Sequence, residues 1–240
     1  MTRLVLFDLD NTLSDHSHAR NCCLRMLQTR FEALSVLSLP DLARDYDASM
    51  ATVHDDVLVG RVSPEEARLA RLKRFLDLKG VSVGPRELTG TLDGWSETYR
   101  DNEQPVPGAK GLLRVLRDRN VGTGILTNHL ARVQVRKLAH CGLEGLVDFM
   151  LTSEEARCAK PDPRIFEQAL ERGNARAEEA VMVGDMWDSD VAGARAAGIR
   201  AVWFNRERLP VPDSSSAVQL HSFEPVDEAA KVILGAGQRS

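Results

Sequence analysis

The sequence lacks the features that mark secreted, membrane-spanning and nucleic-acid-binding proteins. Its four cysteines form no C-x-x-C pair, so neither a disulfide framework nor a zinc site is indicated. No hydrophobic run approaches the roughly 18 residues that cross a bilayer, and the N-terminal residues show no signal-peptide pattern. A formal net charge of −4 provides no broad basic face for nucleic acid. We therefore expect a cytoplasmic protein with neither a membrane nor a nucleic-acid polymer as partner.

The chain does have the composition of an ordinary folded protein. Of its 240 residues, 43% are hydrophobic and 28% are charged, so a packed core is expected rather than disorder. This length allows one large domain or two small ones.

The stretch from about residue 15 to residue 104 has the hydrophobic spacing of helices, without an intervening strand. Ser63-Pro64-Glu65-Glu66 is typical of a helix start, with Ser63 as the N-cap and Glu66 completing a capping box. Apolar residues recur at helical intervals in two runs: Ala19, Cys22, Cys23, Met26, Leu27, Phe31 and Leu34, then Leu42, Tyr46, Met50, Val53 and Val57. We predict a helical domain over residues 15–104 and a second domain formed by residues 1–14 and 105–240.

Outside the helical stretch, short apolar strands alternate with helices. This alternation predicts an α/β fold in which helices cover both faces of a parallel sheet, giving three α/β/α layers. The strands are expected at residues 4–6, 121–126, 147–152, 180–183 and 199–204. The segment after Pro210 is rich in serine and then weakly helical, and we assign it no chemistry.

Two aspartates follow the first predicted strand. Asp8 and Asp10 stand two residues apart, so in an extended chain both carboxylates point to the same side. Two like charges at this separation repel each other, and the usual relief is a bound cation or a shared proton. Oxygen ligands of this kind suit a hard ion such as Mg²⁺.

Polar residues also follow the other predicted strands, where ligands gather in a parallel α/β sheet. Carboxylates suit a cation, while a hydroxyl beside helix-start amides suits an anion. Together with one lysine they predict a pocket for a phosphoryl group. The residues concerned are Thr127, Asn128, Lys160, Asp185, Asp188 and Asp190.

Four segments resemble, in order, the four motifs of the haloacid dehalogenase (HAD) superfamily. The resemblance implies a Rossmann-like α/β core, a helical C1-type cap over residues 15–104, and a hydrolase of the phosphatase branch. The segments are Asp8-Leu9-Asp10-Asn11-Thr12, Thr127-Asn128, Lys160, and Gly184-Asp185-Met186-Trp187-Asp188-Ser189-Asp190.

The resemblance also implies roles for these residues. Asp8 matches the nucleophile that forms an aspartyl-phosphate, and Asp10 matches the general acid and base. Thr127, the backbone amide of Asn128, and Lys160 match the groups that bind the phosphoryl oxygens.

The metal positions of the family are matched as well. Asp8, Asp185 and the backbone carbonyl of Asp10 match the Mg²⁺ ligands. Asp190 matches a second acid that acts on the metal through water or through its neighbours. Asp188 is the less favoured alternative for that role.

The function expected from this resemblance is Mg²⁺-dependent hydrolysis of a small phosphomonoester, such as a nucleotide or a sugar phosphate. The protein is expected to be a monomer or a homodimer. A phosphomutase, a catalytically silent binding protein and a 2-haloacid dehalogenase are the alternatives. The dehalogenases lack the second aspartate and need no metal, so the presence of Asp10 and Asp185 disfavours that alternative.

Several residues have open roles at this stage. His129 either starts a helix or contacts substrate, the first being favoured. Ser14, His16, His18 and Arg100 are weaker candidates for substrate contacts.

Overall fold

The computed structural model describes residues 1–50, 62–212 and 218–235. The chain divides into two compact units, one formed by Met1–Asp15 with Gln104–Ser240 and the other by His16–Glu103. In the part of the chain that is described, no helix combines the length and the apolar character needed to cross a membrane.

The first unit contains a six-stranded parallel sheet in the order β3-β2-β1-β4-β5-β6. Because β1 pairs with both β2 and β4, the chain changes its direction of strand addition at β1. Ligand sites of doubly wound sheets lie at such a point, outside the carboxyl ends of the strands. The strands are β1 Leu4–Phe7, β2 Gly122–Thr127, β3 Phe149–Thr152, β4 Ala180–Gly184, β5 Arg200–Phe204 and β6 Val218–Leu220.

The His16–Glu103 unit has helices and connecting loops but no strand among its described residues. Its helices are α1 His16–Arg30, α2 Glu32–Ser35, α3 Leu39–Met50, α4 Pro64–Leu78 and α5 Pro85–Asp101. They bury a common apolar cluster in which Tyr46 stacks on Trp95 with ring centroids 4.7 Å apart. The predicted capping box at Ser63 and Glu66 is confirmed. Val53 and Val57, placed on a helix from their spacing, lie outside the described residues.

The remaining helices cover both faces of the sheet, which confirms the predicted three-layer α/β fold. Residues of α6, α7 and α11 join the apolar cluster on one face, and residues of α9 and α10 join the cluster on the other. The helices are α6 Ala109–Asp118, α7 Ala131–His140, α8 Ser153–Ala156, α9 Pro163–Arg172, α10 Gly193–Ala196 and α11 Val226–Leu234.

Two local features differ from the sequence expectation. The alternating pattern predicts a regular helix between β4 and β5, but that segment is split into a π-helical turn, Trp187–Ala192, and the short helix α10. Asp190 lies in that turn with its side chain buried, so the turn carries an inward-facing acid instead of continuing a regular amphipathic helix. The strand β6 was not expected, because it has three half-buried residues and a polar one in its centre.

Candidate active site

The strand order brings the predicted acidic residues to one edge of the sheet. Phe7 at the end of β1 lies in register with Val183 of β4 and Ile125 of β2. The backbone N–H of Asp8 donates to Val183 O at 2.9 Å. Asp8 and Asp185 are therefore the first residues after the neighbouring strands β1 and β4. Thr127 is the last residue of β2, which lies on the other side of β1.

Lys160 connects two of the acidic side chains. Its Nζ donates to Asp8 Oδ1 at 2.8 Å, lies 2.7 Å from Asp190 Oδ1, and donates to Leu126 O at 2.7 Å. Burial alone would lower the pKa of this lysine, but the charges of Asp190 and Asp8 raise it, so the ammonium form is favoured. An ammonium group has three donors, and all three face protein acceptors here. The contact with a phosphoryl oxygen predicted for Lys160 therefore requires one of these bonds to be exchanged.

Asn128 fixes the backbone of Lys160 through its side chain. Asn128 Oδ1 accepts from the Lys160 N–H at 2.8 Å, and Asn128 Nδ2 donates to the Lys160 carbonyl, also at 2.8 Å. The sequence motif assigned a role to the backbone amide of Asn128. The side-chain clasp is an additional role, and it holds the lysine beside Asp8.

Three carboxylates form a cluster that fits a divalent cation. Asp8, Asp185 and Asp190 each offer an oxygen within 4.8 Å of the others. Burial raises the pKa of Asp8 to about 7, with Lys160 opposing the shift and Asp190 and Asp10 adding to it. Burial and the charges of Asp8 and Asp190 likewise raise the pKa of Asp185 well above its usual value. A set of oxygen donors whose negative charges repel each other is the donor chemistry that hard divalent ions neutralise.

The loop that carries this cluster is held by further bonds. Asp190 Oδ2 accepts from the Met186 N–H at 3.0 Å, and Trp203 Nε1 donates to the carbonyl of Asp185 at 2.8 Å. Thr12 Oγ1 donates to Asp185 Oδ1 at 3.4 Å. Asp188 is exposed, whereas Asp190 is only 1% exposed, so it is Asp190 whose carboxylate joins the cluster.

Asp10 is bound by two buried residues that the sequence motifs do not contain. Lys137 Nζ forms an ion pair with Asp10 Oδ1, and Gln134 Nε2 donates to Asp10 Oδ2 at 2.9 Å. The same Gln134 nitrogen donates to Thr127 Oγ1 at 2.8 Å. The sequence carries a weak signal, since Lys137 and Gln134 lie four and seven residues before the apolar Cys141, which is helical spacing.

His129, whose role the sequence leaves open, lies just before the start of α7. Its Nδ1 accepts a hydrogen bond from the backbone N–H of Leu130 at 2.8 Å, and Leu130 is the N-cap of α7, so His129 lies one residue before the helix start. Ser14 is buried, and its hydroxyl oxygen accepts from the Cys141 thiol at 3.5 Å. Both residues thus have partners within the first unit.

The other weak candidates belong to the helical unit. His16 Nδ1 and the Tyr99 hydroxyl are hydrogen-bonded at 2.6 Å, and His18 Nε2 lies 3.8 Å from Cys22 Sγ. Arg100 is exposed in the last turn of α5. These contacts are local to the unit.

Comparison with known proteins shows the family to which the chain belongs. The model of the haloacid dehalogenase-like hydrolase family matches residues 2–198. Ribulose-1,5-bisphosphate 5-phosphatase of Halopiger xanaduensis is 34% identical over 206 residues, covering 85% of each chain. Pyrimidine 5'-nucleotidase YjjG of Escherichia coli is 29% identical over 225 residues, covering 92% of this chain and 95% of the relative.

A solved structure shares the fold over nearly the whole chain. The putative HAD-hydrolase YfnB from Bacillus subtilis, bound to magnesium, superposes with a TM-score of 0.74 and 22% identity. The match covers 96% of this chain and 99% of the other.

Proposed function

Because the chain belongs to the haloacid dehalogenase-like hydrolases, we propose that it is a Mg²⁺-dependent phosphatase of a small phosphomonoester. The observation that carries this proposal is the pair of aspartates at the end of β1, each bound to its own buried lysine. Asp8 contacts Lys160 and Asp10 contacts Lys137. Asp8 is thus available as a nucleophile, and Asp10, which is held by a different lysine, is available as a general acid and base.

In the first step, a carboxylate oxygen of Asp8 attacks phosphorus and the ester P–O bond breaks. The leaving oxygen takes a proton from the carboxylic acid of Asp10, so an alcohol departs and a phosphoryl group remains on Asp8. In the second step, Asp10 accepts a proton from a water molecule that attacks phosphorus. The bond between phosphorus and Asp8 then breaks, releasing inorganic phosphate and restoring both carboxyl groups.

The proposed Mg²⁺ ligands are Asp8, Asp185 and the backbone carbonyl of Asp10, with Asp190 supporting them from beside Lys160. When bound, the ion would supply positive charge that offsets the repulsion between a phosphate dianion and these carboxylates. The raised pKa values of Asp8 and Asp185 support this assignment, because burial first and the neighbouring aspartate charges second make their ionised forms costly without a cation.

Thr127 is the proposed donor to the phosphoryl oxygens. Its hydroxyl oxygen accepts a hydrogen bond from Gln134, so its own proton can point away from Gln134 toward a bound anion. The backbone amide of Asn128, next in the chain, is proposed to assist. Lys160 would contribute its charge from its position beside Asp8.

The proposed substrate class is the phosphate ester at position 5 of a five-carbon sugar, either free or within a nucleotide. Both relatives compared above are named for a phosphate at that position. The His16–Glu103 unit is proposed to serve as the cap that selects among such esters.

Phosphate release tests the proposal directly. The purified chain is assayed with ribose 5-phosphate, ribulose 1,5-bisphosphate, uridine 5'-monophosphate and p-nitrophenyl phosphate, each with Mg²⁺ and with EDTA. We expect release only with Mg²⁺ and a loss of about 100-fold or more in Asp8→Asn and Asp10→Asn. Asp188→Asn, which changes an exposed acid of the same loop, is the matched control and should keep wild-type turnover.

Three results would overturn the proposal. Halide release from a 2-haloacid without phosphate release would identify a dehalogenase. An isomerised sugar phosphate with little free phosphate would identify a mutase. Metal-dependent binding of these esters without any turnover would identify a binding protein.

A further inference from the structure

We propose that Gln134 and Lys137 are positioning residues that hold Asp10 and Thr127 for proton transfer and phosphoryl binding. This inference rests on the proposed function, in which Asp10 moves the proton. Gln134 is fully buried and Lys137 is 3% exposed. They lie three residues apart in α7, so they share one side of that helix.

The burial of these two side chains costs stability that an apolar pair would not. Transferring an ammonium or an amide group out of water is unfavourable unless its partners replace the lost hydration. Leu138, four residues after Gln134, and Cys141, four residues after Lys137 at the end of the helix, are buried apolar neighbours of these two positions. We infer that the lysine and the glutamine are buried at these positions because they bind Asp10 and Thr127.

Lys137 and Gln134 approach different oxygens of the same carboxylate. Lys137 Nζ contacts Asp10 Oδ1, while Gln134 Nε2 contacts Asp10 Oδ2. Two donors on the two oxygens fix the plane of the carboxyl group. Since each carboxylate oxygen can accept more than one hydrogen bond, this arrangement leaves acceptor capacity for a leaving oxygen or a water molecule.

Gln134 also links the acid to the phosphoryl-binding hydroxyl. Its single Nε2 reaches both Asp10 Oδ2 and Thr127 Oγ1, whereas its Oε1 is buried without a hydrogen-bond partner among the described residues. The Gln134 amide nitrogen thus donates to two acceptors in the site, while its amide oxygen accepts no hydrogen bond from the described residues. The arrangement sets the distance between the hydroxyl that binds the phosphoryl group and the acid that protonates the leaving oxygen.

Leaving-group dependence provides the test, because a p-nitrophenolate leaves readily without protonation and a primary alkoxide does not. Full-length Lys137→Met and Gln134→Met are assayed with Mg²⁺ on ribose 5-phosphate and on p-nitrophenyl phosphate. We expect kcat on the sugar phosphate to fall at least about tenfold more than kcat on the aryl ester, since proton transfer of this kind is typically worth 100-fold or more. KM should change little, and Lys137→Arg should recover part of the loss.

The ratio of the two activities is taken within one preparation, so a variant that folds only in part still gives a valid result. Lys79→Met is the matched control, because it removes an ion pair with Asp45 in the helical unit and should leave the ratio unchanged. If one methionine variant yields no soluble protein, the other is read by the same ratio.

Two outcomes would overturn the inference. Equal losses on both substrates would show that these residues only maintain the fold, and activities within twofold of wild type on both substrates would show that Asp10 needs neither residue. In both cases the wild type still hydrolyses the esters, so the proposed function stands. A wild type that hydrolyses neither ester refutes the proposed function and this inference together.

Discussion

Gly184, the last residue of β4, leaves no space for a side chain, and this makes Gly184→Ala a sharp test of how Asp190 is held. A Cβ built at Gly184 would lie 2.2 Å from Asp190 Oδ2 and 2.5 Å from Asp190 Cβ. Both distances are far inside van der Waals contact, so one of the two residues must move. Asp190 cannot move freely, because its carboxylate contacts Lys160 and the Met186 N–H.

The expected cost follows from the bonds that the displacement breaks. A hydrogen bond to a charged group contributes about 1.5–3 kcal/mol, and forcing extra volume into a packed site costs about 1–3 kcal/mol. Together they predict that the free energy of unfolding of Gly184→Ala falls by roughly 2.5–6 kcal/mol. Since Lys160 then loses one of its carboxylates, phosphatase activity should fall as well.

Urea-induced unfolding, followed by circular dichroism, measures this cost. Gly122→Ala is the matched control, because Gly122 begins β2 and its Cβ would approach no heavy atom closer than 3.4 Å. We expect the control to change the free energy of unfolding by less than about 1 kcal/mol. If Gly184→Ala is as stable and as active as Gly122→Ala, then the contact with Lys160 does not fix the position of Asp190.

Two further predictions concern the same cluster. Burial raises the pKa of Asp8 from 3.8 to about 7, so its ionisation opposes folding; in EDTA the free energy of unfolding should fall between about pH 4 and pH 7. Thermal denaturation should then show a stabilisation by Mg²⁺ that grows from pH 5 to pH 8, and a shift independent of pH, or unchanged in Asp8→Asn, would contradict it. Asn128→Ala removes both bonds to the Lys160 backbone, which should lower the free energy of unfolding by about 1–3 kcal/mol. Its kcat should fall more than its KM rises, and unchanged kcat would show that Lys160 stays in place without the clasp.

The sheet was predictable from the sequence to the extent that its strands are buried. β1, β4 and β5 are nearly continuous apolar runs, which is the pattern of parallel strands covered on both faces, and β2 carries the apolar pair Ile125-Leu126 at its buried end. β6 lies at the edge of the sheet with three half-buried residues, so its pattern carries no such signal. The π-helical turn at Trp187–Ala192 was also missed, because it is set by the burial of one carboxylate rather than by hydrophobic periodicity.

The acidic residues of the site were predictable because strand ends follow from topology. Once Asp8 and Asp185 are known to follow parallel strands, their proximity requires only that the strands be neighbours. Gln134 and Lys137 could not be placed this way. Their contact with Asp10 depends on which side of α7 faces the strand ends, and that orientation is fixed by packing of the whole helix.

The paired lysines change the electrostatic problem that the sequence posed. Two aspartates at one strand end suggested that a cation or a shared proton must relieve their repulsion. The structure adds a buried ammonium group for each of them, and these reach the site from different segments of the chain. With all groups ionised, four carboxylates and two ammonium groups leave an excess of two negative charges. One divalent cation offsets this excess while Asp10 is ionised, and the excess falls to one negative charge when Asp10 holds the proton that the first step requires. The groups counted are Asp8, Asp10, Asp185, Asp190, Lys137 and Lys160.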